Sequence, residues 1–200
     1  MMGVTHVFAG ALAAMVLAES GSPGDCLAAL IGGSLGGIIC DIDLGESGGG
    51  LEAKRAGQLA GVIALEGLAA DLILDAGILR SIQSKSGLEL EAGVFCLLML
   101  CVWGRHQPHR GGTHSLLAVI LFSACVEVIS GMLGRPFLIG MMSHLALDLF
   151  NRRPLPLLYP LRGGVCLGLC RADGLADRCL QTTAVLGTML VLGVSIGKFL

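Results

Sequence analysis

The stretch LELEAGVFCLLMLCVWGRHQPHRGGTHSLLAVILFSACVEVIS, residues 88–130, decides the fold. Two runs apolar enough to sit in lipid flank a polar turn, HQPHRGGTHS at 106–115, which holds three of the five histidines of the chain. A bilayer has no water to satisfy an open backbone, so apolar runs in series read as membrane helices. The polar turn then marks a membrane face, and its imidazoles mark that face as special.

Composition extends this reading to the whole chain. Of 200 residues, 54% are apolar and 14% are charged, with mean hydropathy +0.81. A soluble domain carries about 25% charged residues. The chain reads as a membrane protein of one domain, 1–200. Its 31 glycines and 4% aromatics would make a poor core in water. In lipid, small residues let helix backbones approach closely. The net charge of -2 selects no partner, and no basic block or aromatic–basic interleaving points to nucleic acid. The eight cysteines form no CxxC pair. Those in apolar runs, Cys26, Cys40, Cys96, Cys101 and Cys125, read as buried thiols. Cys166 and Cys170 have ligand spacing without a neighbouring ligand of another type. The N-terminal run MMGVTHVFAGALAAMVLAES has no basic residue; the first is Lys54. It reads as a retained first membrane helix rather than a signal peptide.

Apolar runs give seven segments, at about 4–18, 26–40, 57–79, 88–103, 115–133, 136–150 and 182–200. The expected fold is all-α: a polytopic helical membrane protein with about five to seven embedded helices. Pro23, Pro108, Pro136 and RRPLPLLYP mark connections. Segment two carries GGSLGG, in which Gly32 and Gly36, and Gly33 and Gly37, are four apart. Two overlapping GxxxG patterns make a close-packing face, and they end just before DID at 41–43.

Parity then brings the polar residues together. If each segment spans, His6 at the start of segment one lies level with Asp41 and Asp43 at the end of segment two. His109 and His114 begin segment five, and His144 and Asp148 lie toward the end of segment six. All fall on one membrane face. Nine basic residues share it: Lys54, Arg55, Arg105, Arg110, Arg152, Arg153, Arg162, Arg171 and Arg178. The other face has Arg80, Lys85, Arg135 and Lys198. The positive-inside rule makes the polar face cytoplasmic.

Each motif has its own chemistry. His144 and Asp148 are i,i+4 and project from one side of a helix. Gly111 and Gly112 permit backbone angles closed to other residues, which lets His109 and His114 approach one ion. Asp41 and Asp43, two apart, point the same way if extended. His106 fits an exposed loop residue and is left out. The candidate ligands are His6, Asp41, His114, His144 and Asp148, for one or two divalent ions. Mixed carboxylate and imidazole ligands suit zinc first, with manganese or iron as alternatives. Asp43 and His109 are candidates for a second ion, for general base or for orienting a ligand. Arg110, with Arg152 or Arg153, would hold an anionic group of the substrate.

The same pieces carry a family resemblance: THVFAG at 5–10, DID at 41–43, HRGGTHSLLA at 109–118, MSHLALDLF at 142–150 and PLLYPL at 156–161. On these the chain resembles bacterial inner-membrane proteins described as membrane-bound metal-dependent hydrolases, also as LexA-binding, inner-membrane-associated hydrolases. The resemblance implies an inner-membrane hydrolase. It matches the family's acidic residue before the final helix to Asp177. Many members have His after DID, where this chain has Leu44.

The expected activity is metal-dependent hydrolysis of an ester or phosphoester, lipid-linked or presented at the membrane surface, by activated water. The expected partners are the bilayer and that substrate. Two other readings stand beside it. Glu66, Asp71 and Asp75 in segment three and Glu127 in segment five would suit a divalent-cation or proton-coupled transporter, unless segment three is a surface helix with solvated acids. The third is a non-catalytic scaffold or regulator-binding protein, to which the LexA-binding description points.

Overall fold

A computed structural model describes residues 2–18, 21–44, 50–171 and 174–199. Among them are eight α-helices: α1 Gly3–Leu17, α2 Pro23–Ile39, α3 Gly50–Leu74, α4 Ile78–Gln83, α5 Gly87–Arg105, α6 Leu116–Ile129, α7 Gly131–Leu149 and α8 Leu175–Phe199. Two 3-10 turns, Cys40–Asp43 and Gly112–His114, follow α2 and precede α6. The described residues form no strand beyond two isolated bridges in the segment after α7.

Local sequence explains the helix starts. Ser22 accepts a hydrogen bond from Asp25 N, and Pro23 follows it at the first helical position, where its missing N–H costs nothing. Ser86 and Glu89 form a reciprocal capping box at α5. Ser115 accepts from Ala118 N and opens α6.

The bundle is built around α2. Along its glycine face, Gly33 lies against Gly10 and Ala14 of α1, and a Cβ there would be 2.7 Å from Ala14 Cβ. Gly37 lies against the His6 carbonyl. On the adjoining face, Gly32 and Gly36 meet Pro136, Phe137 and Met141 of α7, and Gly140 of α7 meets Gly33 in return. The overlapping GxxxG pattern therefore serves two neighbours at once: α1 runs antiparallel to α2, and α7 parallel to it. Helix α3 packs on α1 and α2, α8 on α1, and α6 joins α5 to α7. As a result α1, α3, α6 and α8 begin at one end of the bundle, where α2, α5 and α7 finish.

The protein is a polytopic helical membrane protein. Pro23–Asp43, Gly50–Leu74, Gly87–Arg105 and Leu175–Lys198 are long and apolar enough to cross a bilayer, and α1 and α6 are shorter apolar helices. Outward-facing Leu65, Leu72, Ile73, Leu98, Ile120, Leu186 and Leu190 are each more than half exposed. Such a belt is unfavourable in water and natural against lipid.

Three expectations change. Pro136 lies inside α7 and marks no connection; the join is at Ser130, whose extended backbone separates α6 from α7. The flat ring of Pro136 instead sits on Gly32, where a Cβ would come within 2.8 Å of it. Segment three starts earlier, at Gly50, and ends at Leu74, with short α4 following. Cys96 is exposed on the lipid side of α5 rather than buried.

Two of the acids of segment three have local partners. Asp71 is 3% exposed, and its two oxygens accept from Ile78 N at 2.9 Å and Leu79 N at 2.8 Å, capping α4. Asp75 pairs with Arg80 in the open.

Gly33→Leu forces a branched side chain into α1. It is expected to cost about 1–3 kcal/mol, or to block folding outright. Gly193→Ala, where a Cβ meets nothing within 4 Å, is expected to be neutral. Thermal unfolding in detergent measures both.

Candidate metal centre

All eight sequence-selected residues meet at the end of the bundle where α1 begins and α2 and α7 finish. Close packing at Gly37 puts its carbonyl 2.7 Å from His144 Nδ1. An acceptor there requires the proton on Nδ1, so His144 Nε2 faces the cluster with its lone pair. His114 is held in the same sense. Its Nδ1 lies 3.3 Å from Asp43 Oδ2, and Thr113 Oγ1 donates to that oxygen at 2.8 Å. His114 Nε2 points inward, 3.3 Å from His144 Nε2 and 3.6 Å from Asp41 Oδ1. His6 stacks on His144 with centroids 3.9 Å apart, and its Nε2 lies 3.3 Å from Asp148 Oδ1.

Three imidazole Nε2 atoms and the carboxylates of Asp41 and Asp148 thus surround one small space. Three sets of ligand atoms lie within 4.8 Å of one another: His6, His144 and Asp148; Asp41, His114 and His144; and Asp41, Asp43 and His109. The first two share His144, and the last two share Asp41. Carbonyl and carboxylate partners on the far ring nitrogens are the usual support of metal-binding histidines.

Charge agrees with geometry. Asp41, Asp43 and Asp148, with side chains 10%, 0% and 3% exposed, face one buried guanidinium among the described residues, that of Arg110. With neutral imidazoles, two negative charges remain, and buried charge calls for an opposite partner. Burial works against protonation of His114, but hydrogen bonds and charge from Asp41 and Asp43 outweigh it and raise its pKa to about 9. The residues present therefore fit a divalent cation.

The HRGG turn works differently from its sequence reading. Neither Gly111 nor Gly112 has positive φ; Arg110 does, at 61°. The glycines supply space: a Cβ on Gly111 would be 2.6 Å from Pro108 O, and one on Gly112 would be 2.7 Å from the Trp103 ring. The left-handed turn at Arg110 places its N–H 3.0 Å from Asp43 Oδ2 and its Nη2 2.9 Å from Asp148 Oδ2. Arg110 Nη1 donates to Arg153 O at 2.9 Å, while its buried Nε has no partner among the described residues.

Asp43 is thus enclosed by donors, including His109 Nδ1 at 3.1 Å. Its place is that of an organiser of the turn. His109 is the exposed member, with a side chain 33% accessible. His106 lies exposed outside the cluster. Arg152 and Arg153 lie on the outer loop. Asp177, fully buried, accepts from Thr5 Oγ1 at 2.9 Å and Met2 N at 3.0 Å, fastening α8 to α1 one turn from His6.

A cleft of about 140 Å³ opens on the cluster, lined by His6, Asp41, His109, Arg110 and Asp148 and, from α3, by Glu52 and Ala53. Sequence reasoning passed over Glu52, Thr113 and Asn151. Asn151 Nδ2 donates to Asp148 Oδ1 at 2.6 Å. Its i,i+3 spacing from Asp148 was the available signal; Glu52 had none, because its nearness depends on how α3 packs.

Fold and cluster together define a multi-pass helical membrane protein with a buried His/Asp centre at one end. The description YdjM inner membrane protein matches residues 1–197, and the chain belongs to that inner-membrane family. No curated protein and no solved structure matches it.

His114→Ala and Asp148→Ala are expected to lose zinc, and His106→Ala to keep it; metal analysis of purified protein reads all three. The sign of the pH effect follows from His114. Its protonated form stabilises the metal-free fold below about pH 6.5, and that contribution fades as pH rises through about 9. A metal must displace the proton. Zinc affinity is therefore expected to climb up to about pH 9, with about one proton released per ion near neutrality. Zinc titrations in two buffers of different ionisation enthalpy measure that release.

Proposed function

We propose that the protein is a membrane-bound metal-dependent hydrolase of an ester or phosphoester carried on a lipid. The observation that carries this reading is the buried cluster of three His Nε2 atoms and two carboxylates, onto which a small cleft opens past His6, Asp41 and Asp148. His6, Asp41, His114, His144 and Asp148 would hold one or two ions, zinc foremost. A bound divalent ion supplies a lowered pKa for water and polarises a phosphoryl or acyl oxygen.

The chain's own groups divide the remaining work. Asp43 accepts from His109 Nδ1, which leaves His109 Nε2 basic at the cleft rim. It takes the proton of the attacking water and returns it to the departing alcohol oxygen as the ester bond breaks. Arg110 keeps Asp148 oriented and offers its unpartnered Nε to an anionic oxygen. Asp43 and the Gly37 carbonyl fix the tautomers of His114 and His144.

The transporter reading needs a run of acids leading from the cluster through α3. Asp71 is engaged at both oxygens in capping α4, and Asp75 in pairing with Arg80, which favours hydrolysis. His114→Ala is expected to abolish hydrolysis of a lipid phosphoester in reconstituted vesicles. Arg110→Ala is expected to lower kcat/KM by about 10²–10³ while zinc is retained, and Glu66→Gln to leave turnover intact. Cation flux lost in Glu66→Gln, with no hydrolysis by the unsubstituted chain, would assign transport instead. Tolerance of both sets of substitutions would assign a scaffold.

The site end carries nine of the thirteen Lys and Arg residues, so we place it in the cytoplasm. Reporter fusions at Gly163 are expected to read cytoplasmic, and fusions at Lys85 external. Opposite readings would invert the assignment.

A further inference from the structure

A second opening adjoins the cluster from the lipid side. Helix α3 packs on α1, α2 and α4, whereas α5 packs on α6 and the Cys40–Asp43 turn. This leaves α3 and α5 without a substantial interface of their own. Between them lies a groove of about 310 Å³, with Ile38, Ile39 and Ile42 as its apolar floor. Its inner wall is Asp41, and it shares Asp41, Leu44 and Ala53 with the cleft over the cluster.

The two sides of the groove carry cations. Lys54 stands in the second turn of α3, and Arg105 is the last residue of α5. Both are exposed, at the end of the bundle where membrane helices meet the headgroup layer. Toward the membrane interior the α3 wall is low. Gly57 lines the groove, and neither Gly57 nor Gly61, one turn further, has any atom within 4 Å of a Cβ position. Helices α3 and α5 are themselves candidate spans, 17% and 11% buried within the protein, so among the described residues no further helix closes the groove on its lipid side.

An apolar trough ending in two cations at headgroup depth matches one kind of molecule. We propose that this groove binds an anionic phospholipid of the surrounding leaflet, with its phosphate against Lys54 and Arg105 and an acyl chain in the gap beside Gly57. Its headgroup then reaches the cleft past Asp41, without leaving the membrane. Lys and Arg near a membrane surface draw anionic lipid, and a charge-assisted contact to phosphate fixes its position. The cleft, at about 140 Å³, lies below the ~300 Å³ at which pockets for drug-sized ligands begin. It suits a phosphate with a small substituent rather than a glycan. The proposal rests on the hydrolase reading for the fate of the lipid, but its binding step is measured separately.

The test uses the full chain in detergent, with native mass spectrometry of bound lipid. Dimyristoylphosphatidate and dimyristoylphosphatidylcholine are offered at equal concentration. The unsubstituted chain is expected to retain phosphatidate at least about tenfold over phosphatidylcholine. The double variant Lys54→Ala/Arg105→Ala is expected to lose that preference. Gly57→Leu, which puts a branched side chain into the gap at a position whose Cβ meets no neighbouring helix within 4 Å, is expected to retain neither lipid. Equal retention of both lipids by the unsubstituted chain would overturn the proposal, as would a preference unchanged in both variants. Displacement of phosphatidate by excess inorganic phosphate would also overturn it, assigning the cations to a free anion. Zinc content of the same samples reports on the metal centre: a zinc-loaded chain without lipid preference loses only this proposal, and a lipid-selective chain without zinc loses only the hydrolase reading.

Discussion

The contact of the α2 glycines with the backbones of α1 and α7 is the constraint on which the rest of the structure depends. In lipid, helix association gains little from hydrophobic exclusion, and close backbone approach takes its place. Gly33 and Gly37 let α1 come near enough for the His6 carbonyl to lie over Gly37. Gly140 does the same for α7, and only at that spacing can His144 Nδ1 reach the Gly37 carbonyl. A packing motif and a ligand's tautomer are therefore one feature. A bulky residue at Gly37 would move His6 and His144 together, without touching an imidazole.

The second constraint is charge. Carboxylates at the membrane boundary are costly unless they are paired or wet. Here Asp43 is surrounded by an amide, a hydroxyl and two imidazoles. Asp148 is held by Arg110, Asn151 and His6. Asp41 has weaker partners, with His114 and His144 Nε2 at 3.6 Å and 3.7 Å. It also faces both the cleft and the lipid-side groove. The least satisfied carboxylate is thus the one placed where ion and substrate would meet. The acids at the other end of the molecule are used differently: Asp71 substitutes for an N-cap on a helix of six residues, a structural use of the same chemical group.

Much was legible in the sequence because the bilayer restricts what a chain can do. Apolar runs had to be helices, so their number and parity sufficed to collect His6, Asp41, His114, His144 and Asp148 at one end, although they are spread over 143 positions. The i,i+4 spacing of His144 and Asp148 and the glycine repeat in α2 needed only helical geometry. Composition and hydropathy likewise set the class of the protein without reference to any contact.

What the sequence left open was decided by packing between elements distant in the chain. Pro136 reads as a breaker because a ring without an N–H usually ends a helix, yet here it rests on Gly32 of α2 inside α7. Arg110, not its glycine neighbours, takes the left-handed backbone, because Asp43 is placed to accept its N–H. Glu52, Thr113 and Asn151 join the cluster for reasons that no spacing within a single helix expresses. The groove between α3 and α5 exists because two helices fail to pack on each other. Apolar length and parity set where the helices run and which ends they share; which faces meet, and where a gap remains, followed from the shapes of all eight helices together.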